Sequence, residues 1–272
     1  MKCYRRALTI AGSDSGGGAG IQADLKTFSA LGCFGMSAIT ALTAQNTQDV
    51  SGILAVPPEF VAAQIDAVFS DIGADAVKIG MLHSAPVILA VAASILKWRP
   101  PFLVLDPVMV AKGGARLLED SAIEALREKL FPLATVVTPN LPEAAAILGL
   151  PESVIRAGDG MADTARRLAE LGPRAVLIKG GHLGGRDSPD LLYIRDEDRL
   201  VELPAMRVET VNTHGTGCTL SSAIAAFLAR GLPLCEAAAG AKRYLTAAIE
   251  AGSGYRIGGG HGPVHHFHRF WE

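Results

Sequence analysis

Short, nearly uninterrupted apolar runs alternate along this chain with longer stretches whose apolar residues recur every three or four positions. The runs at residues 7–11, 34–40, 76–80, 102–105, 135–138 and 175–179 hold few polar side chains, which predicts strands buried on both faces. Between them, Ile21, Leu25, Phe28 and Leu31 share one helical face closed by Gly32, and Val61, Ile65, Val68 and Ile72 share another behind Pro57-Pro58. Further helices are expected over 84–97, 120–131, a short stretch ending at Leu148, 161–171, 219–228 and 234–251, with an irregular connection at 151–159. Residues 190–195 and 200–209 alternate around Asp196-Glu197-Asp198, the pattern of an antiparallel pair at a sheet edge. Strands that alternate with helices predict an α/β fold: a mainly parallel central sheet, helices on both faces, a small antiparallel edge, and one domain over residues 1–272.

Composition narrows the partners. Of 272 residues, 49% are hydrophobic, enough for a substantial core. Net charge is −2, from 25 basic and 27 acidic residues with no basic run, so no nucleic-acid partner is expected. The most apolar run, residues 87–96, is too short to cross a bilayer. Cys3, Cys33, Cys218 and Cys235 are scattered and read as free thiols, and the polar first six residues show no signal peptide. A cytoplasmic protein is expected.

In open α/β sheets ligands bind at the carboxyl ends of the strands. The unusual residues fall there: 12–20, Gln45, Gly80-Met81, Asp106, Asn140, Glu143, Lys179 and Asn212-Thr213-His214-Gly215-Thr216-Gly217-Cys218. The last stretch precedes an apolar helical segment, so its glycines can fold backbone N–H groups around an anion at a helix start. Cys218 would share that positive field, which favours loss of the thiol proton. An anion cradle beside a proton acceptor suits phosphoryl transfer to an alcohol. The plainer reading is a Gly-x-Gly turn with a small buried thiol.

Other motifs divide similarly. Gly18-Ala19-Gly20-Ile21-Gln22-Ala23 fits the dinucleotide pattern GxGxxA, but residues 38–45 hold no acid for a ribose, and no Lys-Ser or Lys-Thr follows the glycines as a Walker loop needs. Close backbone approach to a small substrate fits better. Asn140 and Glu143 read as a helix cap, or, with Asp106, as ligands that hold Mg²⁺ largely through waters. Lys179 ends an apolar strand where it could meet phosphate oxygens. His261, His265, His266 and His268 crowd the tail, and the neighbouring glycines and Pro263 favour a lid or a disordered end over a metal site.

Taken together, these stretches resemble the ribokinase-like small-molecule kinases, and within them the hydroxymethylpyrimidine/phosphomethylpyrimidine kinases. The matching residues include Ala11-Gly12-Ser13-Asp14-Ser15-Gly16-Gly17-Gly18-Ala19-Gly20, Thr43-Ala44-Gln45-Asn46, Val77-Lys78-Ile79-Gly80-Met81, Asp106-Pro107-Val108-Met109, Thr138-Pro139-Asn140-Leu141-Pro142-Glu143, Lys179-Gly180-Gly181-His182 and the stretch ending at Cys218. The resemblance implies a three-layer α/β/α kinase that uses ATP and Mg²⁺, usually as a homodimer. It implies two successive phosphorylations of 4-amino-5-hydroxymethyl-2-methylpyrimidine in thiamine biosynthesis. By it, Gln45 would bond the aminopyrimidine, with Gly12, Met81 and Val108 lining the pocket. Lys179, Asn140 and Thr216 would serve the nucleotide, Asp106 and Glu143 the metal, and Cys218, Gly215 and Gly217 the transfer. The wider group usually has aspartate at the Cys218 position. Two alternatives stand beside this reading: a pyridoxal kinase of the same fold, and a ligand-binding regulator without turnover. The intact Cys218, Asp106, Glu143 and Lys179 argue against the regulator.

Overall fold

The computed structural model describes residues 2–109, 120–156, 159–182 and 186–271. One nine-stranded sheet runs through them in the order β3-β2-β1-β4-β5-β6-β7-β8-β9. Its parallel centre consists of β2 (Cys33–Gln45), β1 (Arg5–Asp14), β4 (Ala76–Ile79), β5 (Leu103–Leu105), β6 (Val136–Val137) and β7 (Ala175–Ile178). The four strands from β4 to β7 are buried at every position, as their apolar runs require, and Lys78 is the polar exception.

Both edges are antiparallel. The expected pair is present as β8 (Asp190–Ile194) and β9 (Arg199–Leu203), shorter at its second strand than the alternation suggests. The opposite edge departs from expectation: β3 (Val50–Ala55) folds back along β2, and the sequence reading assigned it no strand. No residue of β3 is buried, so the edge strand lacks the apolar alternation that would announce it.

Helices cover both faces. α2 (Pro58–Asp71), α3 (Ala85–Trp98), α5 (Leu141–Leu148) and α7 (Gly160–Ala169) pack a core with Leu8, Ile10, Ile79, Leu105 and Ile178. α8 (Thr216–Ala229) and α9 (Leu234–Gly252) pack the opposite core with Phe28 of α1 (Gly20–Ala30), Val104, Val136 and Leu177. α4 (Asp120–Ala125) continues through a π-helical turn at Leu126–Leu130. The connection expected to be irregular holds a short helix, α6 (Glu152–Arg156), while its residues 157–158 lie outside the described ones.

Of the two expectations for the tail, a lid or a disordered end, the second does not hold. The tail has no helix or strand, yet His265 and His266 are buried. Tyr244 donates its hydroxyl hydrogen to the His266 carbonyl at 2.6 Å, and the His266 Nε2 meets the Thr219 hydroxyl at 3.0 Å. Burial holds the His266 imidazole neutral, its pKa pushed down to about 3. The tail glycines lie against the β2–β3 turn, where His261 N–H bonds the Thr47 carbonyl at 2.9 Å.

Candidate active site

The strand ends converge on a cavity of about 540 Å³. Gly12, Gln45, Met81 and Val108 line it, as do Asp106, Asn140, Glu143 and Lys179. Gly215, Thr216, Gly217 and Cys218 complete its wall. Each residue to which the resemblance gives a role therefore lines one hollow. A second cavity of about 270 Å³ adjoins it and shares Asn140, Lys179, Thr213, Thr216 and Gly217. Its remaining wall is largely apolar, with Met206, Val208, Leu245 and Ile249, above the buried Lys242–Asp190 ion pair at 2.8 Å.

The wall between the cavities is the first turn of α8. Gly215 caps it at φ 78°, in the left-handed region, and a Cβ there would run into the Gly18 carbonyl oxygen. Glycine is thus required twice over at this position. The first N–H groups of the helix have no partner within it and present a positive end to whatever lies against them.

At the glycine turn after β1, the Asp14 carboxylate accepts N–H bonds from Gly16 (2.8 Å), Gly18 (3.1 Å) and Ala19 (2.8 Å). Donors that a dinucleotide loop would aim at phosphate are spent on a side chain instead, which is the physical reason that reading fails. Asp14 also meets His214 Nε2 at 2.8 Å. Burial pushes the Asp14 carboxyl up, but the bonds from His214 and Ala19 outweigh it and hold it below the usual range. The His214 ring in turn stands 3.5 Å from the Gln45 amide nitrogen, and Thr43 donates to Gln45 Oε1 at 3.1 Å.

On the other side, Lys179 Nζ lies 2.8 Å from Asp106 Oδ1 and 3.5 Å from Glu143 Oε2. Both readings of Asn140 and Glu143 coexist. Asn140 Oδ1 accepts from Glu143 N–H at 2.8 Å, and Glu143 Oε2 accepts from Asn140 N–H at 2.7 Å, a reciprocal cap. The same Glu143 still faces the cavity. Burial pushes its carboxyl up to about 7, against the pull of Lys179, while Asp106, also raised by burial, is brought below the usual range by Lys179 and Lys78.

Cys218 requires a correction. Its place at a helix start led to the expectation of an acidified thiol. In the fold, burial pushes the thiol up to about 11, and the opposing pull of Lys78 and of a Gly20 N–H bond does not cancel it. The resting sulfur is protonated near neutral pH.

Residues 14–265 match the description of the phosphomethylpyrimidine kinases. The chain belongs to that family. Over 268 residues it is 57% identical to the hydroxymethylpyrimidine/phosphomethylpyrimidine kinase of Rhizobium meliloti, which covers 98% of each chain. It is also 57% identical over 259 residues to the thiamine biosynthesis bifunctional protein ThiED of Geobacter sulfurreducens, where it spans 95% of its own length and 51% of that longer protein. Among solved structures, the ADP complex of Bacillus subtilis pyridoxal kinase has a TM-score of 0.88 at 39% identity, across 97% of this chain and 98% of that one. The ribokinase-like three-layer arrangement is shared, and membership of the phosphomethylpyrimidine kinases sets aside the regulator without turnover.

The sequence assigns no individual role to Lys78, Asp24, Asp14 or His214, although Asp14 and His214 lie in stretches placed at the rim. Lys78 had a signal, a lysine inside the apolar run 76–80, but its partner Asp24 lies 54 residues earlier.

Proposed function

We propose that this phosphomethylpyrimidine kinase transfers a phosphoryl group from ATP to the hydroxymethyl oxygen of 4-amino-5-hydroxymethyl-2-methylpyrimidine, and a second to the monophosphate so formed, for thiamine biosynthesis. One observation carries the reading: two cavities meet at a glycine-capped helix start, with a thiol on the side of the larger one. The smaller, apolar cavity suits the base of a nucleotide, and the ADP in the pyridoxal kinase structure supports a nucleotide donor. The α8 N–H groups and Lys179 hold the transferring phosphoryl group between the two. In the first step the hydroxyl oxygen bonds to the γ-phosphorus, the bond from that phosphorus to the bridging oxygen breaks, and ADP leaves with the electron pair. The hydroxyl proton passes to the Cys218 sulfur once that sulfur is ionised. In the second step the acceptor is already an anion and needs no base. An ADP-release assay that supplies the pyrimidine, its monophosphate and pyridoxal in turn tests the reading. Turnover of pyridoxal alone would favour the pyridoxal kinase alternative that the structural likeness raises.

The donor set fits Mg²⁺. Asp106 and Glu143 converge on one cation, Lys179, and magnesium takes one or two carboxylates while it keeps several waters. When bound, the ion would neutralise charge that grows on the transferred group. Glu143→Gln keeps an oxygen for the Asn140 cap but loses the charge, so the apparent Mg²⁺ affinity should fall with the fold intact. A magnesium titration of activity identical to the parent's would leave Glu143 as a cap only.

Gln45 sets ring specificity in this scheme. Its amide offers a donor and an acceptor, the pairing an aminopyrimidine presents. Buried polar groups left unpaired cost about 1–3 kcal/mol. Gln45→Leu should therefore raise KM for the pyrimidine at least about tenfold, since about 1.4 kcal/mol is a factor of ten. An unchanged KM removes Gln45 from ring recognition. The homodimer and cytoplasmic setting implied by the resemblance belong to the same proposal, and sedimentation velocity checks the first.

A further inference from the structure

Beneath the wall of the main cavity lies an ion pair that the scheme above does not use. Lys78, in the middle of β4, and Asp24, on α1, are both fully buried. Lys78 Nζ stands 3.0 Å from Asp24 Oδ1 and 2.9 Å from Oδ2. Thr9 of β1 donates to Asp24 Oδ2 at 2.6 Å, and Ser222 of α8 donates to Oδ1 at 2.6 Å. The carboxylate is therefore satisfied from three elements, and the lysine is fixed against it.

The placement matters because of Ser222. It stands four residues after Cys218, so the two side chains share one face of α8, one turn apart. The hydroxyl that anchors Asp24 thus lies directly below the thiol. Lys78 itself reaches the lining of the main cavity, as Cys218 does. A Cβ at Gly80 would approach Lys78 Nζ to 2.7 Å, so the glycine after β4 leaves room for the ammonium to extend toward the site. A buried ion pair is weak evidence of stabilisation, because apolar residues of the same volume often serve as well or better. A pair with one member at a catalytic cavity calls for another reason.

We propose that Lys78, clamped by Asp24, is the positive charge that readies the Cys218 sulfur to take the hydroxyl proton in the first phosphorylation. Lys78 acts through Cys218 and is a positioning residue. The groups that act on the sulfur come from several elements: Lys78 from β4, Asp24 from α1, Asp106 beyond β5, Lys179 beyond β7 and the Gly20 N–H at the start of α1. Among these, Lys78 is the largest charge that favours the thiolate, and Asp24 and Asp106 oppose it. Lys78 remains charged despite its burial because Asp24 foremost, with Cys218 and Asp106, together outweigh the desolvation.

This inference rests on Cys218 as the base. Its test is a pair of variants read by the pH dependence of Cys218 alkylation with iodoacetamide, with Cys218→Ala protein as the background for the other cysteines. The double variant Lys78→Met/Asp24→Asn removes both charges with little change of volume and leaves no lone charge buried. It should move the alkylation midpoint up by about one pH unit and slow the first phosphorylation about tenfold at neutral pH, with the second step spared and the first recovering as pH is raised. The single Asp24→Asn should move the midpoint up as well, because the buried lysine, with its partner gone, gives up its proton. An unmoved midpoint in the double variant, or equal losses in both steps that higher pH does not restore, overturns the proposal. The two readings fail separately. If Cys218→Ala leaves the first step intact, the base itself is lost; if it impairs that step but the midpoint stays, only the part assigned to Lys78 is lost.

Discussion

Cys218→Ala should slow the first phosphorylation by about 10²–10⁴, the range for loss of a positioned base, and slow the second much less. The asymmetry follows from the acceptors. A neutral alcohol must shed a proton as its oxygen bonds phosphorus, whereas the monophosphate attacks as an anion. The sulfur faces the cavity in which both acceptors would bind, on the first turn of the helix that cradles the transferring group. Because burial pushes the thiol up to about 11, the resting enzyme holds it protonated. The working fraction of thiolate then increases about tenfold per pH unit below that value. The first step should accelerate correspondingly from neutral to mildly alkaline pH in the parent enzyme, and the second should stay level. Both are measured by timing ADP release with the pyrimidine and with its monophosphate as separate substrates. Equal losses in the two steps would indicate a distorted anion cradle, and no loss in either would make Cys218 a packing residue.

What could be read from the chain differs by the range of the interaction involved. β4, β5 and β7 declare themselves, because strands buried on both faces must be apolar throughout. The rim of the site is legible for a topological reason: in a parallel sheet every strand delivers its following residue to the same edge, so Asp106, Asn140 and Lys179 could be grouped before any distance was known. β3 was not legible, since Ser51, Leu54 and Ala55 are exposed and Gly52 interrupts the segment. The Cys218 thiol shows a subtler limit. A helix start is a local feature and was read correctly, but its acidifying effect is opposed by burial, which depends on α1, β4 and the residues after β5 folding around it. The disordered end expected as one reading of the tail failed for the same reason. His265 and His266 look like a solvated histidine cluster until Thr219, Tyr244 and Tyr255, brought in from α8, α9 and the turn beyond, enclose them.

Lys179→Met should contrast with the cysteine variant by damaging both steps alike. Lys179 directly follows β7, with its ammonium beside Asp106 and Glu143, and its backbone N–H donates to the Pro139 carbonyl of the neighbouring strand end at 2.9 Å. It stands on the wall shared by the two cavities, where the phosphates of ATP would cross in either reaction. Loss of one preorganised electrostatic contact to a transferring group costs about 10²–10³ in kcat. That loss should appear with the pyrimidine and with the monophosphate in the same proportion, because the donor is common to both. Stability should fall as well. With the lysine gone, two buried carboxylates face each other with only Lys78 left to offset Asp106, and breaking such a pair costs about 3–5 kcal/mol. Glu143, whose carboxyl burial already holds at about 7, can relieve part of this by binding a proton, so the low end is expected. The relief also has a direction: the variant should recover some stability as the medium is made mildly acidic, where Glu143 is neutral. Urea unfolding at two pH values checks the stability, and step-resolved ADP release checks the rates. A loss confined to the first step would place Lys179 with Cys218 in proton transfer rather than with the phosphates, and unchanged rates in both would leave it a structural partner of Asp106.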